Sequence, residues 1–299
     1  MKKILVTGAS GLLGRAIRGA FEAIPDWSVI GLAKNRVRDG LFFLDLLDPR
    51  SVREFLFRKR PHVVIHAAAE RKPDICEHEP DYTKALNVTA TSTLCAAARE
   101  VGAWTLFTST DYVFDGTNPP YRPEDQPNPL NSYGESKLAG EQAVLSADPE
   151  NAVLRIPILY GGVESLEESA VTAVASLLLD PSPMRVDHWA VRRPTHVGDV
   201  AAACMEMTKL RAEGKSCSGV WHFSGDEAMT KYDMAMAMAK ILDRDASHLF
   251  PEDKAPHGAP RPHDCSLDCT AFDLRFTVAR SRFQGRVGAI LKPHLTLNP

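Results

Sequence analysis

Short apolar runs alternate with longer segments of helical spacing over the first half of the chain. Lys3-Ile4-Leu5-Val6-Thr7 is β-rich and continuous enough to be buried on both faces of a parallel sheet. Helical spacing follows over residues 15–24, and apolar runs at 27–32 and 41–44 predict the second and third strands. Asp48-Pro49 opens a helix that ends near Arg60. Val63-Val64-Ile65-His66-Ala67-Ala68-Ala69 reads as a fourth strand opening into small residues. Residues 75–100 read as one long helix with Asn87 in its middle, and the run 104–107 begins a fifth strand that carries Thr110 at its carboxyl end. Pro129 and Asn131 punctuate the start of a helix that carries Tyr133 and Lys137. Residues 152–161 form a sixth strand, in which Pro157 argues for a strand end or an edge. Strands alternating with helices in this way predict an α/β fold, a doubly wound parallel sheet with right-handed crossovers.

From Glu164 the regularity loosens. A helix over 167–179, a break at Asp180-Pro181-Ser182-Pro183 and the run 184–189 look like inserted elements of a substrate lobe. Helices over 196–210 and 231–242 flank a strand at 220–223. Met229, Met234, Met236 and Met238 read as core filler. The tail from Pro251, rich in Pro, His and Arg, is expected to fold over a cleft. The pattern divides the chain into a nucleotide-binding domain, 1–161, and a smaller C-terminal substrate lobe, 162–299, partly interleaved with it.

Composition narrows the partners. The 299 residues are 44% hydrophobic and 24% charged, ordinary for a globular protein, and the net charge of -3 argues against nucleic acid or an anionic membrane. No apolar run approaches the roughly 20 residues that span a bilayer. The chain starts on a strand-like segment without the regions of a signal peptide, so a cytoplasmic location is expected. The six cysteines are scattered, which predicts reduced, mostly buried thiols and no metal site. Asn87-Val88-Thr89 fits the glycosylation sequon by chance.

Candidate chemistry sits where strands meet helices. Gly8-Ala9-Ser10-Gly11-Leu12-Leu13-Gly14 follows the first strand and opens the first helix. There glycines let the backbone approach a pyrophosphate seated on the helix N-terminus, although a plain Gly-rich turn has the same look. An NAD site would place Asp or Glu near the end of the second strand. This chain offers Lys34, Arg36 and Arg38, which suit the 2′-phosphate of NADP or, equally, a solvated basic loop. Asp45 and Leu46 would lie beside an adenine, and Ala67, Ala68 and Ala69 admit either a close ligand or close packing. Tyr133 and Lys137, four apart, share a helix face. A phenol beside an ammonium is expected to have a lowered pKa, as acid–base catalysis requires.

Taken together, the glycine turn, Thr110, Tyr133 and Lys137 resemble the extended short-chain dehydrogenases/reductases, whose fold is of Rossmann type. Thr-Asp-Tyr-Val-Phe-Asp-Gly at 110–116 and Tyr-Gly-Glu-Ser-Lys-Leu-Ala-Gly-Glu at 133–141 resemble the dTDP-4-dehydrorhamnose reductase family. Within it, Ala68-Ala69-Glu70-Arg71-Lys72-Pro73-Asp74, Phe-Asp-Gly-Thr-Asn-Pro-Pro-Tyr at 114–121, Asp187-His188-Trp189 and Arg193-Pro194-Thr195-His196-Val197 are similar to the branch of methionine adenosyltransferase regulatory β subunits. His66 stands where the rhamnose-pathway enzymes typically carry Asn.

The resemblance implies roles. Gly8, Gly11 and Gly14, with Ser10, Leu12 and Leu13, would hold the pyrophosphate of NADP(H), and Arg36 with Lys34 and Arg38 its 2′-phosphate. Lys137 would hold the nicotinamide ribose, and Ile156 and Pro157 would complete the cofactor set. In a reductase Tyr133 would protonate a carbonyl that Thr110 also binds, with Asn87 supporting Lys137 through water. The branch implies an NADP-binding regulatory subunit that docks on the methionine adenosyltransferase catalytic subunit and modulates S-adenosylmethionine synthesis. The retained Thr110, Tyr133 and Lys137 leave open an NADPH-dependent reductase of a keto-sugar nucleotide. Residues 291–299, with Leu295-Thr296-Leu297 in alternation, are a candidate partner-facing strand or a frayed terminus.

Overall fold

The computed structural model describes residues 1–38 and 40–295. Strand β1 (Lys2–Thr7) sends Ile4 and Val6 to one side and Leu5 to the other, all fully buried, so an unbroken apolar run serves two cores. Helix α1 (Leu12–Glu22), β2 (Trp27–Ala33), β3 (Leu41–Phe43), α2 (Pro49–Lys59) and β4 (Val63–His66) follow. Asp48 caps α2 by accepting from the backbone N–H groups of Arg50 and Ser51. Next come α3 (Pro73–His78), α4 (Pro80–Lys84), a π-helical turn (Ala85–Thr89) and α5 (Ala90–Glu100). Then β5 (Trp104–Thr110), α6 (Ser132–Ala147), β6 (Ala152–Ile156) and β7 (Leu159–Tyr160) lead into β8 (Met184–Asp187), β9 (Thr195–His196) and α7 (Val197–Ala212). The chain ends with β10 (Gly219–His222), α8 (Lys231–Leu242), β11 (Leu249–Glu252), α9 (Thr270–Asp273) and α10 (Phe283–Leu295).

Seven parallel strands make the central sheet in the order β10-β6-β5-β4-β1-β2-β3, a Rossmann-type α/β fold. Ile17 and Phe21 of α1 pack with Val200 and Met207 of α7 on one face. Val52 and Leu56 of α2 and Leu94 and Ala98 of α5 cover the other. Both β10 and α7 therefore belong to the central layers although they come late in the chain. A separate apolar cluster joins Tyr160, Val171, Val186, Met234, Met238, Phe283 and Leu291, with β8 and β11 paired beside it. All six cysteines are free thiols, and five are buried.

Four expectations are corrected. The helix over 75–100 is broken, because Glu79 takes a non-helical conformation before Pro80 and a π turn carries Asn87 inward. The helix over 167–179 is two 3₁₀ segments, Leu166–Glu168 and Thr172–Leu178. There the hydroxyls of Ser169 and Thr172 donate to the carbonyls of Leu159 and Leu166, competing with α-helical pairing. The strand over 152–161 divides at Pro157, with β6 ending at Ile156 and β7 pairing instead with β9. Leu295 ends α10 as a buried helical residue, which removes it from the strand-like tail, and residues 296–299 lie outside the described residues. Among the methionines, Met234 and Met238 fill the core while Met236 is 39% exposed.

The β1–α1 junction tolerates no side chain at Gly14, where a Cβ would fall 2.1 Å from the Gly8 carbonyl oxygen. A Cβ at Gly19, in the same helix, would meet nothing within 4 Å. Gly14→Ala should therefore destabilise by about 1–3 kcal/mol or more, and Gly19→Ala should stabilise by roughly 0.5–1 kcal/mol. Denaturant unfolding of the two variants checks the contrast.

Candidate functional site

A cleft of about 560 Å³ opens at the carboxyl ends of the central strands, where open α/β sheets place their ligands. At its floor Gly8 has φ +64°, and a Cβ there would lie 3.0 Å from the Ala68 backbone. Gly11 donates its N–H to the Gly8 carbonyl at 2.9 Å and begins α1 without a side-chain cap. The first-turn amides thus present a positive end to the cleft, which Ser10, Leu12 and Leu13 also line. The Thr7 hydroxyl accepts from the amides of Ala67 (3.0 Å) and Ala68 (3.1 Å) and contacts His66 Nδ1 at 2.7 Å. His66 Nε2 contacts the Thr91 hydroxyl at 2.9 Å. Burial, then the nearby Lys137 charge, lowers the His66 pKa to about 3. His66 is therefore a neutral cross-link between β4 and α5. The backbone of Ala67 and Ala68 is held against the glycine turn, and both line the cleft with Ala69.

The basic residues after β2 are tied to carboxylates. Lys34 pairs with Asp45 at 2.8 Å. Arg36 pairs with Glu164 at 3.0 Å and Glu168 at 3.1 Å, and Arg38 with Glu164 at 2.7 Å. Arg15 joins them through Glu168 at 2.7 Å. Burial would raise the Glu168 carboxyl, but hydrogen bonds from Arg15 and the Glu164 amide prevail and hold it at about 2. Lys34, Arg36, Asp45 and Leu46 line the cleft; the more exposed Arg38 is not part of its lining.

Helix α6 brings Tyr133 and Lys137 to the middle of the cleft. Asn131 caps it by accepting from the Gly134 amide at 2.9 Å. A Cβ at Gly134 would fall 2.3 Å from the Tyr112 carbonyl oxygen, so the helix presses close to the β5 terminus. Thr110, Ile156 and Pro157 also line the cleft. Lys137 Nζ donates to the Thr108 carbonyl at 2.7 Å and sits 3.9 Å from the Phe107 ring centroid. Burial lowers its pKa to about 7 against the pull of Glu141. Burial also raises the Tyr133 phenol above its ordinary value, opposed by a hydrogen bond with Thr110. The expected lowering of Tyr133 by Lys137 is thus reversed, because desolvation outweighs the ammonium, which faces Thr108 instead. Asn87 makes its direct side-chain bonds to Glu70 and to Ser136, the residue before Lys137. Its side chain donates to the Glu70 carbonyl (2.9 Å) and Ser136 hydroxyl (3.0 Å) and accepts from the Glu70 amide (2.8 Å).

The cleft also carries charged residues to which the sequence assigned no role. Arg192 donates to the Tyr112 hydroxyl at 3.2 Å and to the Pro262 carbonyl at 3.1 Å. Arg261, from the tail, pairs with Asp74 at 2.6 Å. Asp111 is buried beside Thr110, and desolvation, opposed by Arg192, raises its pKa to about 6. Lys231 also lines the cleft; burial, opposed by Asp187, lowers its pKa. These cations favour an anionic or phosphorylated occupant, while the glycine turn, the hydroxyl pair and the ammonium suit a dinucleotide.

The family profile described as RmlD substrate binding domain matches residues 1–295. The chain belongs to this family. It is 44% identical over 296 residues to methionine adenosyltransferase 2 subunit beta of Xenopus tropicalis, covering 98% of this chain and 88% of that one. A dTDP-4-dehydrorhamnose reductase of Mycolicibacterium smegmatis is 31% identical over 265 residues, 87% of this chain and 76% of its own. Among solved structures, the dTDP-4-dehydrorhamnose reductase of Bacillus anthracis in complex with NADP superposes with a TM-score of 0.83 at 25% identity, covering 98% of this chain and 99% of that one. Within this family fold, none of the helices among the described residues is long and apolar enough to cross a membrane.

Lys137 generates a stability prediction. Unfolded, it keeps its proton up to about pH 10.5; folded, it loses it near 7. Between those values the unfolded chain binds more protons, so this residue's contribution to unfolding free energy rises with pH. Denaturant unfolding at both ends of the window should show a rise, of a few kcal/mol at most, that Lys137→Met flattens.

Proposed function

We propose that the chain is an NADP-binding regulatory subunit, of the β type, that docks on a methionine adenosyltransferase catalytic subunit and modulates S-adenosylmethionine synthesis. The observation that carries this reading is the 44% identity spread over 98% of the chain, against 31% over 87% for the reductase. The cleft agrees with it. Lys137 donates to the Thr108 carbonyl, and burial keeps the Tyr133 phenol protonated, a state that binding alone tolerates and that a proton donor would also need. The same reading gives residues 1–161 the dinucleotide and residues 162–299, interleaved through α7 and β10, the opposite wall. It places the chain in the cytoplasm, where its six thiols stay reduced.

In this reading the amides of the 8–14 turn bind a pyrophosphate, and Arg36, with Lys34 and Arg38 beside it, takes a 2′-phosphate. Asp45 and Leu46 flank the adenine, Ala67, Ala68 and Ala69 admit close backbone approach, and Ile156 and Pro157 back the nicotinamide. Lys137 turns from Thr108 to the ribose. Ordering of the cleft, rather than turnover, is what a partner would sense. NADP(H) would supply hydride chemistry when bound. In the alternative reading, an NADPH-dependent reductase of a keto-sugar nucleotide, Thr110 binds a substrate carbonyl and Tyr133 gives it a proton. That alternative is favoured by all three residues meeting in one cleft.

Two measurements test the proposal. Arg36→Ala should weaken NADP about 10-fold, the lower end for a lost hydrogen bond to a charged group, and leave NAD unchanged in calorimetry. Equal loss for both dinucleotides would contradict the assignment of Arg36. Tyr133→Phe should bind the catalytic subunit with unchanged affinity, because the side chain lies inside the cleft. A reductase would instead lose about 10²–10⁴ in rate.

A further inference from the structure

Glu164 occupies an unusual electrostatic position. Its carboxylate accepts from Arg38 through both oxygens, at 2.7 and 3.0 Å, and from Arg36 at 3.0 Å, with Arg15 3.6 Å away. Two guanidiniums converging on one carboxylate is the arrangement that a phosphate monoester requires. It lies at the end of β2, where the chain carries Arg36 and Arg38 in place of the acidic residue of an NAD site.

We propose that Glu164 is a built-in competitor for the 2′-phosphate of NADP and that its displacement sets the chain's preference between NADP and NAD. This rests on the dinucleotide reading above and deepens it by naming the residue that tunes selectivity. Glu168 does not share the role. Its side chain is only 7% exposed, it is bonded to Arg15 at 2.7 and 2.8 Å, and its carbonyl accepts from Arg71 at 2.6 Å. The backbone around it is anchored by buried Leu166 and by Ser169, whose hydroxyl donates to the Leu159 carbonyl. The Glu164 side chain is more open, 31% exposed, and its neighbour Gly162 has nothing within 4 Å of a would-be Cβ. Glu164 can therefore rotate into solvent while its backbone amide keeps its 2.9 Å bond to Glu168.

Charge balance favours the exchange. Arg15, Arg36 and Arg38 face Glu164 and Glu168, a surplus of one positive charge. With Glu164 swung out the surplus is two, matched to a phosphate of about −1.5 to −2 at pH 7. NAD offers no such group and leaves Glu164 on its arginines. The carboxylate thus taxes NADP binding and not NAD binding.

The test is calorimetric titration of wild type and Glu164→Gln with NADP, NAD and 2′,5′-ADP. The variant should bind NADP and 2′,5′-ADP about 3- to 30-fold more tightly, the loss of two or three exposed ion pairs to the competitor, with NAD unchanged. Its thermal stability should match that of wild type. If wild type prefers NADP and Glu164→Gln shows the same or a smaller preference, the inference is overturned and the cofactor reading stands. If wild type prefers NAD, both fall.

Discussion

Helix α6 carries two ionisable side chains, Lys137 and Glu141, into the interior, and the sheet is built to receive them. Glu141 accepts from Arg155 of β6 at 2.7 and 2.9 Å and from the Ser109 hydroxyl of β5, with both members of the pair 3% exposed. Arg155 in turn donates to His222 of β10 at 3.3 Å. Burial, then the charge of Arg155, lowers the His222 pKa to about 3. One buried carboxylate therefore fixes α6 against three consecutive strands. Leaving such a pair half-made typically costs about 3–5 kcal/mol. One turn earlier Lys137 is held on Thr108, and with it the position of Tyr133 in the cleft. The geometry of the site follows from that row.

Much of the fold is legible because β1, β4, β5 and β6 are short apolar runs with both faces covered, and the glycine turn marks where β1 becomes α1. The legible part fails where local chemistry competes with periodicity. Apolar spacing around Asn87 continues through a π turn and past Pro80, so residues 75–100 look like one helix. At 166–178 the spacing is helical, yet Ser169 and Thr172 spend their hydroxyls on backbone carbonyls. Pro157 shows where β6 stops but gives no sign that β7 leaves for a different sheet.

The site is legible to the extent that motifs carry it. The cleft gathers the glycine turn, Lys34, Arg36, the alanines at 67–69, Thr110, Tyr133, Lys137, Ile156 and Pro157. Asn87 and Arg38 stand outside its lining. The sequence holds no local sign of Glu164 and Glu168, which reach Arg36 from more than a hundred residues away. Arg192 and Arg261, in loops, carry no such sign either, and only folding brings them to Lys231 at the start of α8. The ionisation of Tyr133 is misjudged from spacing alone because burial, not the proximity of Lys137, is the largest influence on it.

A reductase constellation and a regulatory role are compatible in one chain, since a binding cleft can be kept for its occupancy. The central claim is that this cleft is used for binding rather than for turnover. The most direct measurement mixes the NADPH-loaded chain with a methionine adenosyltransferase catalytic subunit and a 4-keto-6-deoxy sugar nucleotide. It follows S-adenosylmethionine formation and NADPH oxidation in the same sample. The account predicts that S-adenosylmethionine kinetics shift when the chain is added while NADPH remains reduced. Steady NADPH oxidation with S-adenosylmethionine formation unchanged would contradict it.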